Sequence, residues 1–215
     1  KLIATITDGS TFEWDSDADS ATSTRATAIS NAPTATRQTL VSTPDRHLVF
    51  FGTETTIGTT STQDDMYIRW SSQEAITTYT PTATNTAGTQ RLADGTRIVA
   101  ALRGRDAIYI WTDTSLFIMR FVGAPFTFSF QQVATNCGLI GKNAAVEVDG
   151  SAYWMSENGF FRYTGRIESL ACLVEDYVYD DINTVPKNHI YAGLNNLFGE
   201  VTWFYPGSGA ASNNR

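Results

Sequence analysis

Short apolar runs separated by polar turns dominate the chain, and five bulky side chains mark the ends of such runs. They are Trp14, Trp70, Trp111, Met155 and Trp203, which recur 56, 41, 44 and 48 residues apart. One four-stranded blade of a β-propeller occupies about 40 to 50 residues, and a sustained period of this size is typical of a repeat architecture. The spacing therefore predicts blade-like units of about 40 to 56 residues.

Two segments resemble each other without gaps. Residues 109–117 align with residues 153–161 at an offset of 44, so that predicted strands match strands and predicted turns match turns. Residues 66–72 form a weaker third copy. The alternative interpretation is an all-β protein with aromatic strands and polar turns but no true repeat, because only one pair aligns in this way.

The apolar runs predict strands, since β-branched and aromatic residues dominate and no ten residues show a helical stripe. A hairpin is predicted at residues 2–7 and 11–14 around Asp8-Gly9. Further strands are predicted at 46–52, 66–70, 98–102, 107–111, 116–122, 126–133, 144–148, 152–155, 160–163 and 201–205. A short helix or irregular crossing is expected within 175–183 and 186–197.

The predicted fold class is all-β, built from β-propeller blades as antiparallel meanders. Residues 1–215 are predicted to form a single propeller segment of about four blade-like units. Residues 15–44 are predicted to be a long loop excursion with one strand near 26–30. We expect the remainder of a larger propeller protein to complete the segment. Four aromatic side chains are predicted to fill the layers between blades: Trp70, Trp111, Trp154 and Phe161.

Composition narrows the classes of function. With 42% hydrophobic and 12% aromatic residues the chain can build one large or two small apolar cores, which excludes a disordered protein. A net charge of -7 argues against a surface that grips nucleic acid, because phosphate binding relies on clustered Lys and Arg. The densest basic group, Arg97, Arg103 and Arg105, is predicted to be a solvated hairpin tip. An acidic lining could instead let DNA slide without sticking.

Cys137 and Cys172 are too few for a disulfide scaffold, and we expect buried free thiols, although a pairing between them stays open. No apolar run approaches the roughly 20 residues of a membrane span. The start at Lys1-Leu2-Ile3 lacks the apolar core of a signal peptide.

Catalytic patterns are not found in the sequence, and no catalytic, cofactor-binding or metal-ligating residue is predicted. His47 and His189 have no spacing partner that suggests metal ligation, and His47 is predicted to be packed or hydrogen-bonded. No nucleophile elbow, zinc-protease pair, Walker loop or dinucleotide fingerprint occurs.

Several carboxylates could in principle furnish a glycosidase, since propellers often gather acids around a central channel. Because each acid stands where a turn favours one, a structural role is the preferred interpretation. A sialidase-type Asp box is not met, since Met155 and Glu157 stand where Ser and Asp belong. Residues 176–183 lack the central Gly of a calcium loop. The acids considered are Asp64, Asp65, Asp113, Asp149, Glu157, Asp176, Asp180 and Asp181.

Short sequence segments, taken in their order along the chain, are more informative than any candidate chemistry. These segments lie at residues 46–52, 67–74, 85–88, 92–95, 111–116, 121–123, 153–156, 163–166 and 203–206. Together they resemble the central part of the nozzle proteins of short-tailed bacteriophages, also called tail tubular or packaged-DNA stabilisation proteins. The resemblance covers residues 5–205 and depends on the order of many short segments and not on any single one.

The resemblance implies a structural virion protein of the phage tail with a propeller fold and no enzymatic activity. It implies a ring-shaped homo-oligomer, a homohexamer, that closes the DNA channel, retains the packaged genome and takes part in DNA ejection. The implied partners are further copies of the chain, the tail adaptor, tail fibre or tailspike proteins, and genomic DNA that passes without sequence-specific binding. No cofactor or small-molecule substrate is implied. The alternatives are a carbohydrate-binding or glycosidase-like β-propeller and an interaction scaffold of cellular origin.

Overall fold

A computed structural model describes residues 1–17, 25–43 and 45–215, and it is nearly all β, with 46% strand and 6% helix. Its strands are β1 (Leu2–Thr5), β2 (Thr11–Trp14), β3 (Thr27–Ala28), β4 (Thr36–Val41), β5 (Leu48–Thr53), β6 (Tyr67–Trp70), β7 (Gly88–Arg91), β8 (Ile98–Arg103), β9 (Ile108–Thr112), β10 (Ser115–Gly123), β11 (Thr127–Thr135), β12 (Ala145–Val148), β13 (Ser151–Ser156), β14 (Gly159–Tyr163), β15 (Ile167–Leu170), β16 (Tyr191–Asn195) and β17 (Glu200–Phe204). The helical elements are α1 (Glu175–Asp181) and two 3-10 turns, Thr60–Thr62 and Lys187–His189.

The strands form five antiparallel sheets in which neighbours in the sheet are also neighbours in the sequence. Three of the sheets, β4–β7, β8–β11 and β12–β15, have four strands each. The sheet β1–β3 has three strands and the sheet β16–β17 has two. This succession of meanders confirms the predicted all-β class with blade-like sheets. Within the described ranges, no helix has the length and apolarity of a membrane span.

The repeat at an offset of 44 corresponds to the same position in two sheets. Trp111 on β9 lies opposite Leu116 on β10, and Met155 on β13 lies opposite Phe160 on β14. The prediction that residues 66–72 form a third copy is wrong, because β6 is the third strand of its sheet whereas β9 and β13 are second strands. A Thr-rich insertion between β5 and β6 displaces this copy from the register of the other two.

The predicted loop excursion at residues 15–44 contains more structure than expected. The strand expected near residues 26–30 is present as β3, but β4 was missed. Its sequence, Thr-Arg-Gln-Thr-Leu-Val, is mostly polar, and it becomes a strand by pairing with the fully buried β5. Residues 18–24 and Pro44 lie outside the described residues, and with them that part of the loop prediction.

The chain divides into two compact units, so the prediction of a single segment stays a prediction. The first unit comprises Lys1–Ala93 and Phe121–Phe128, and the second comprises Asp94–Arg120 and Ser129–Arg215. In the first unit, Phe50 packs edge-on against Tyr79 with ring centroids 5.2 Å apart. Trp70 is also buried in this unit, where it packs at 5.3 Å against Phe128.

In the second unit, aromatic rings fill the layer between the sheets β8–β11 and β12–β15. Trp111 meets Trp154 with ring centroids 5.5 Å apart, and neither side chain is exposed to solvent. Tyr109 meets Tyr163 across the same layer at 5.7 Å. Phe161 is partly buried and stacks on Trp154. The prediction that aromatic residues fill the layers between blades is confirmed here.

We predict that Trp111→Ala lowers the free energy of unfolding of the second unit by about 3 to 5 kcal/mol, because it removes a fully buried ring and leaves a cavity. The measurement is urea unfolding followed by circular dichroism. The control is Phe126→Ala, whose side chain is 75% exposed and whose loss should change stability by less than about 0.5 kcal/mol. Equal stability of the Trp111→Ala variant and the wild type would contradict the packing.

Candidate functional site

His47 is a packed and hydrogen-bonded residue, as predicted. Its ring is fully buried, and Nδ1 lies 2.7 Å from the carbonyl oxygen of Ser71, which can only accept, so Nδ1 carries the hydrogen. The ring of Phe128 meets it edge-on at 5.1 Å. Nε2 has no hydrogen-bond partner among the described residues, and it lies 3.9 Å from a carboxylate oxygen of Asp45. A substrate could not reach this imidazole without local unfolding.

His189 lies on the surface, where Nδ1 is 2.9 Å from the carbonyl oxygen of Ala211. A search of the described part of the chain for three or more His, Cys, Asp or Glu side chains able to hold a metal finds no such group. Neither histidine therefore joins a constellation of ligands in the ranges that the structure covers.

Half of the eight candidate carboxylates are bound to basic partners. The adjacent Asp64 and Asp65 form their ion pairs in the first unit, and Glu157 and Asp181 form theirs in the second. The pairs are Asp64 with Arg91 at 2.6 Å, Asp65 with Arg37 at 3.0 Å, Glu157 with Lys187, and Asp181 with Arg215 at 3.0 Å. Because each acid neutralises a neighbouring cation, these residues help to hold the connections in which they stand.

Two of the remaining candidate acids occupy positions that favour them. Asp149 adopts a positive φ of 49° in the β12–β13 turn, a conformation that Asp tolerates better than most residues. Asp176 lies in the first turn of α1, where a negative charge is favourable. Asp180 lies near the C-terminal end of this helix, where the helix dipole disfavours a negative charge, so the structural interpretation explains Asp149 and Asp176 but not Asp180.

Asp113 organises the connection that leads into β8. One carboxylate oxygen accepts a hydrogen bond from the Thr96 N–H at 2.8 Å, and the other accepts one from the Thr96 hydroxyl. Burial by itself would raise the pKa of Asp113, but the hydrogen bonds from Thr96, together with those from the backbone of Arg97 and of Asp113 itself, outweigh burial and hold the pKa below its ordinary value. The ionised carboxylate is thus part of the folded connection.

The sequence did not reveal the role of Asp94, which accepts hydrogen bonds from the Ser115 hydroxyl and from Gln132 Nε2 at 3.0 Å.

The sequence also showed no sign of two charged residues, Arg69 and Glu54, that are buried beneath the insertion between β5 and β6. Arg69 is 5% exposed and donates to the Thr55 carbonyl at 2.8 Å, and burial lowers its pKa. Glu54 is fully buried and accepts from the Gly58 N–H at 2.7 Å. The Asp94-Gly95 pair was a possible turn signal, but no local pattern marks Arg69 or Glu54.

Arg97, Arg103 and Arg105 are exposed, as predicted. Arg103 and Arg105 flank the β8–β9 turn, but Arg97 lies just before β8, at the opposite end of that strand, so the prediction that it belongs to the same hairpin tip is wrong. The two cysteines are free thiols. Cys137 is buried, and burial raises the pKa of its thiol to about 11, whereas Cys172 is only partly buried.

An apolar cleft lies beside the two-stranded sheet in the second unit. It has a volume of about 260 Å³. One wall is the inner face of the β16–β17 hairpin, anchored by Trp203, which packs at 5.1 Å against Phe160 and donates through Nε1 to the Ala144 carbonyl at 3.0 Å. The cleft is lined by Val148, Tyr153, Leu170, Leu194, Gly199, Val201 and Trp203. The lining contains no Asp, Glu, His, Lys or Arg side chain, so the cleft suits apolar contacts.

No model of a known protein family matches the chain, and a search of curated proteins finds no relative.

We predict that Asp113→Asn destabilises the protein by about 1 kcal/mol at pH 7, because the charge-assisted bonds from Thr96 weaken and partial exposure limits the loss. A carboxyl group with a lowered pKa stabilises the fold above its unfolded pKa of about 3.9, and this contribution is lost as the pH falls through the folded pKa. The gap between the urea midpoints of variant and wild type should therefore shrink between pH 7 and pH 3. Thr96→Val, which removes the hydroxyl donor to Asp113, is the matched variant. A difference between the urea midpoints that keeps the same size from pH 7 to pH 3 would contradict the role assigned to the ionised Asp113.

Proposed function

We propose that the chain is a structural virion protein of a bacteriophage tail and forms part of the nozzle ring that closes the DNA channel. In this proposal the ring is a homohexamer that retains the packaged genome and takes part in DNA ejection into the host. Its neighbours are the tail adaptor and tail fibre or tailspike proteins. Genomic DNA passes through the channel without sequence-specific binding.

The observation that carries the proposal is the aromatic layer between consecutive sheets in the second unit. Trp111 and Trp154 are fully buried against each other, and Tyr109 and Tyr163 extend the same layer. Large interlocked rings resist sliding and separation, because any displacement opens a cavity in a close-packed interior. A wall of such sheets is suited to holding its shape under the pressure of packaged DNA.

The charge distribution supports passage without adhesion. The chain carries a net charge of -7, and among the residues that the structure describes eight Lys and Arg side chains form ion pairs with carboxylates of the same chain. Cations paired in this way contribute little to binding phosphates, since their charge is already balanced. A net negative surface repels a DNA duplex and lets it slide.

The short sequence segments between residues 46 and 206 follow one another in an order that resembles the nozzle family, and this supports the same proposal. The placement of the candidate acids agrees with a mechanical role, because four of them form ion pairs with basic side chains of the same chain. A glycosidase-like propeller, the alternative, would need a pair of acids that is not held in this way, whereas half of the eight candidate acids are engaged in ion pairs.

We predict that gold-labelled antibodies against the chain bind the tail of phage particles that encode it. Electron microscopy should show the label at the end of the tail below the portal, and averaged images should show a closed ring with an axial channel. Pre-immune serum on the same particles is the control. Label on the capsid or on free protein only would contradict the proposal, and binding of the purified chain on a glycan array would favour the carbohydrate alternative.

A further inference from the structure

The outer edge of β1 has no strand paired to it among the described residues. Across the β1–β2 hairpin the Ile6 N–H donates to the Ser10 carbonyl at 3.2 Å. Because the direction of backbone groups alternates along a strand, Leu2 and Ala4 also face β2, while Ile3 and Thr5 turn their N–H and C=O groups to the open edge.

The outer edge of β17 is open in the same way. On the other side of the hairpin, the Ala192 N–H donates to the Asn143 carbonyl at 2.8 Å, so Ala192 points away from β17. The register of β16 with β17 then turns the backbone groups of Val201 and Trp203 to the outer edge. This sheet has two strands, whereas the two sheets before it have four each.

The side chains beside these two edges match each other. The outward face of β1 is an exposed apolar stripe of Leu2, Ala4 and Ile6, with Leu2 62% and Ile6 59% exposed. Beside β17 lies the apolar cleft of about 260 Å³, which is lined in part by the half-buried Tyr153 and Leu170. A strand added to β17 would cover this cleft with its apolar face.

We propose that β1 of one copy of the chain adds in parallel to the open edge of β17 of a second copy. In a parallel pair, a residue whose N–H and C=O point to the neighbour lies opposite one whose groups point away. Val201 and Trp203 therefore lie opposite Leu2 and Ala4, which places the apolar stripe on the same face as the cleft.

The packing of β1 in its own copy selects this orientation. Its other face already contacts β4, since the Thr5 hydroxyl lies 2.6 Å from the Thr39 hydroxyl. Antiparallel addition would put Ile3 and Thr5 on the cleft face, and the sheet β4–β7 of that copy would collide with the sheet β12–β15 of the other. Parallel addition puts the two sheets on opposite sides of the new strand pair.

The contact joins different surfaces of two identical chains, so it is head to tail, and repeated contacts of this kind close into a ring or extend as a filament. It deepens the proposed function by supplying the joint between subunits. Its place within a tail ring rests on that function, whereas the joint itself is argued from the strand edges.

The test is analytical ultracentrifugation of the full 215-residue chain over a range of concentrations. The wild type should assemble, and Leu2→Asp or Val201→Pro should each raise the apparent Kd by about tenfold or more. Val201→Pro removes an N–H that β16 does not use, and Leu2→Asp changes an exposed side chain. Val185→Asp is the control, since Val185 is 91% exposed outside both edges, and it should assemble like the wild type.

Mixing the two variants gives the sharpest result. Leu2→Asp keeps an intact β17 edge and Val201→Pro keeps an intact β1 stripe, so a mixture should form a one-to-one dimer that does not grow. Circular dichroism checks folding, and Val201→Lys replaces Val201→Pro if the latter does not fold. A wild type that stays monomeric, variants that assemble like the wild type, or a mixture that does not dimerise would each overturn the joint.

The outcome is separable from that of the tail labelling. Head-to-tail assembly of a chain that labels no phage tail would support the joint and remove the proposed function. Labelled tails together with a chain that stays monomeric would support the function and remove the joint.

Discussion

The contact between Trp111 and Trp154 fixes the relation of two consecutive sheets, and much of the second unit depends on it. Sheets pack face to face about 10 Å apart, and only large rigid side chains fill that space without cavities. With both indoles fully buried, the hairpins that carry them are held in one register. On the opposite face of the sheet β12–β15, Phe160 packs against Trp203 in a separate layer, and the apolar cleft lies beside Trp203.

Many of the polar and charged residues hold connections between strands. Asp94 and Asp113 bind hydroxyl, amide and backbone donors of nearby turns. Around the buried Arg69 and Glu54, loop carbonyls and amides replace part of the water that these groups lose, while Arg69 Nε has no hydrogen-bond partner in the described ranges.

The sequence predicted the strands well wherever an apolar run was bounded by Gly, Asp or Asn turns, and the offset of 44 was correct because both hairpins have turns of equal length. It failed at β4, β7, β15 and β16, which no predicted strand covers, and β16 lies where a helix or irregular crossing was expected. The polar strand β4 depends on the buried β5 for pairing. The burial of Trp70 was predicted correctly, but the alignment of residues 66–72 as a third copy failed, because β6 is the third strand of its sheet. The burial of Arg69 and the open edge of β17 could not be predicted, because both depend on contacts with segments distant in the sequence.

The most direct test of the account is a double-mutant cycle on the two central indoles. Trp111→Leu, Trp154→Leu and the double variant would be unfolded in urea alongside the wild type. Direct contact between the rings predicts a coupling free energy of about 0.5 to 1.5 kcal/mol. Effects that add to within about 0.3 kcal/mol would show that the rings do not meet, and would contradict the stacked arrangement of the sheets.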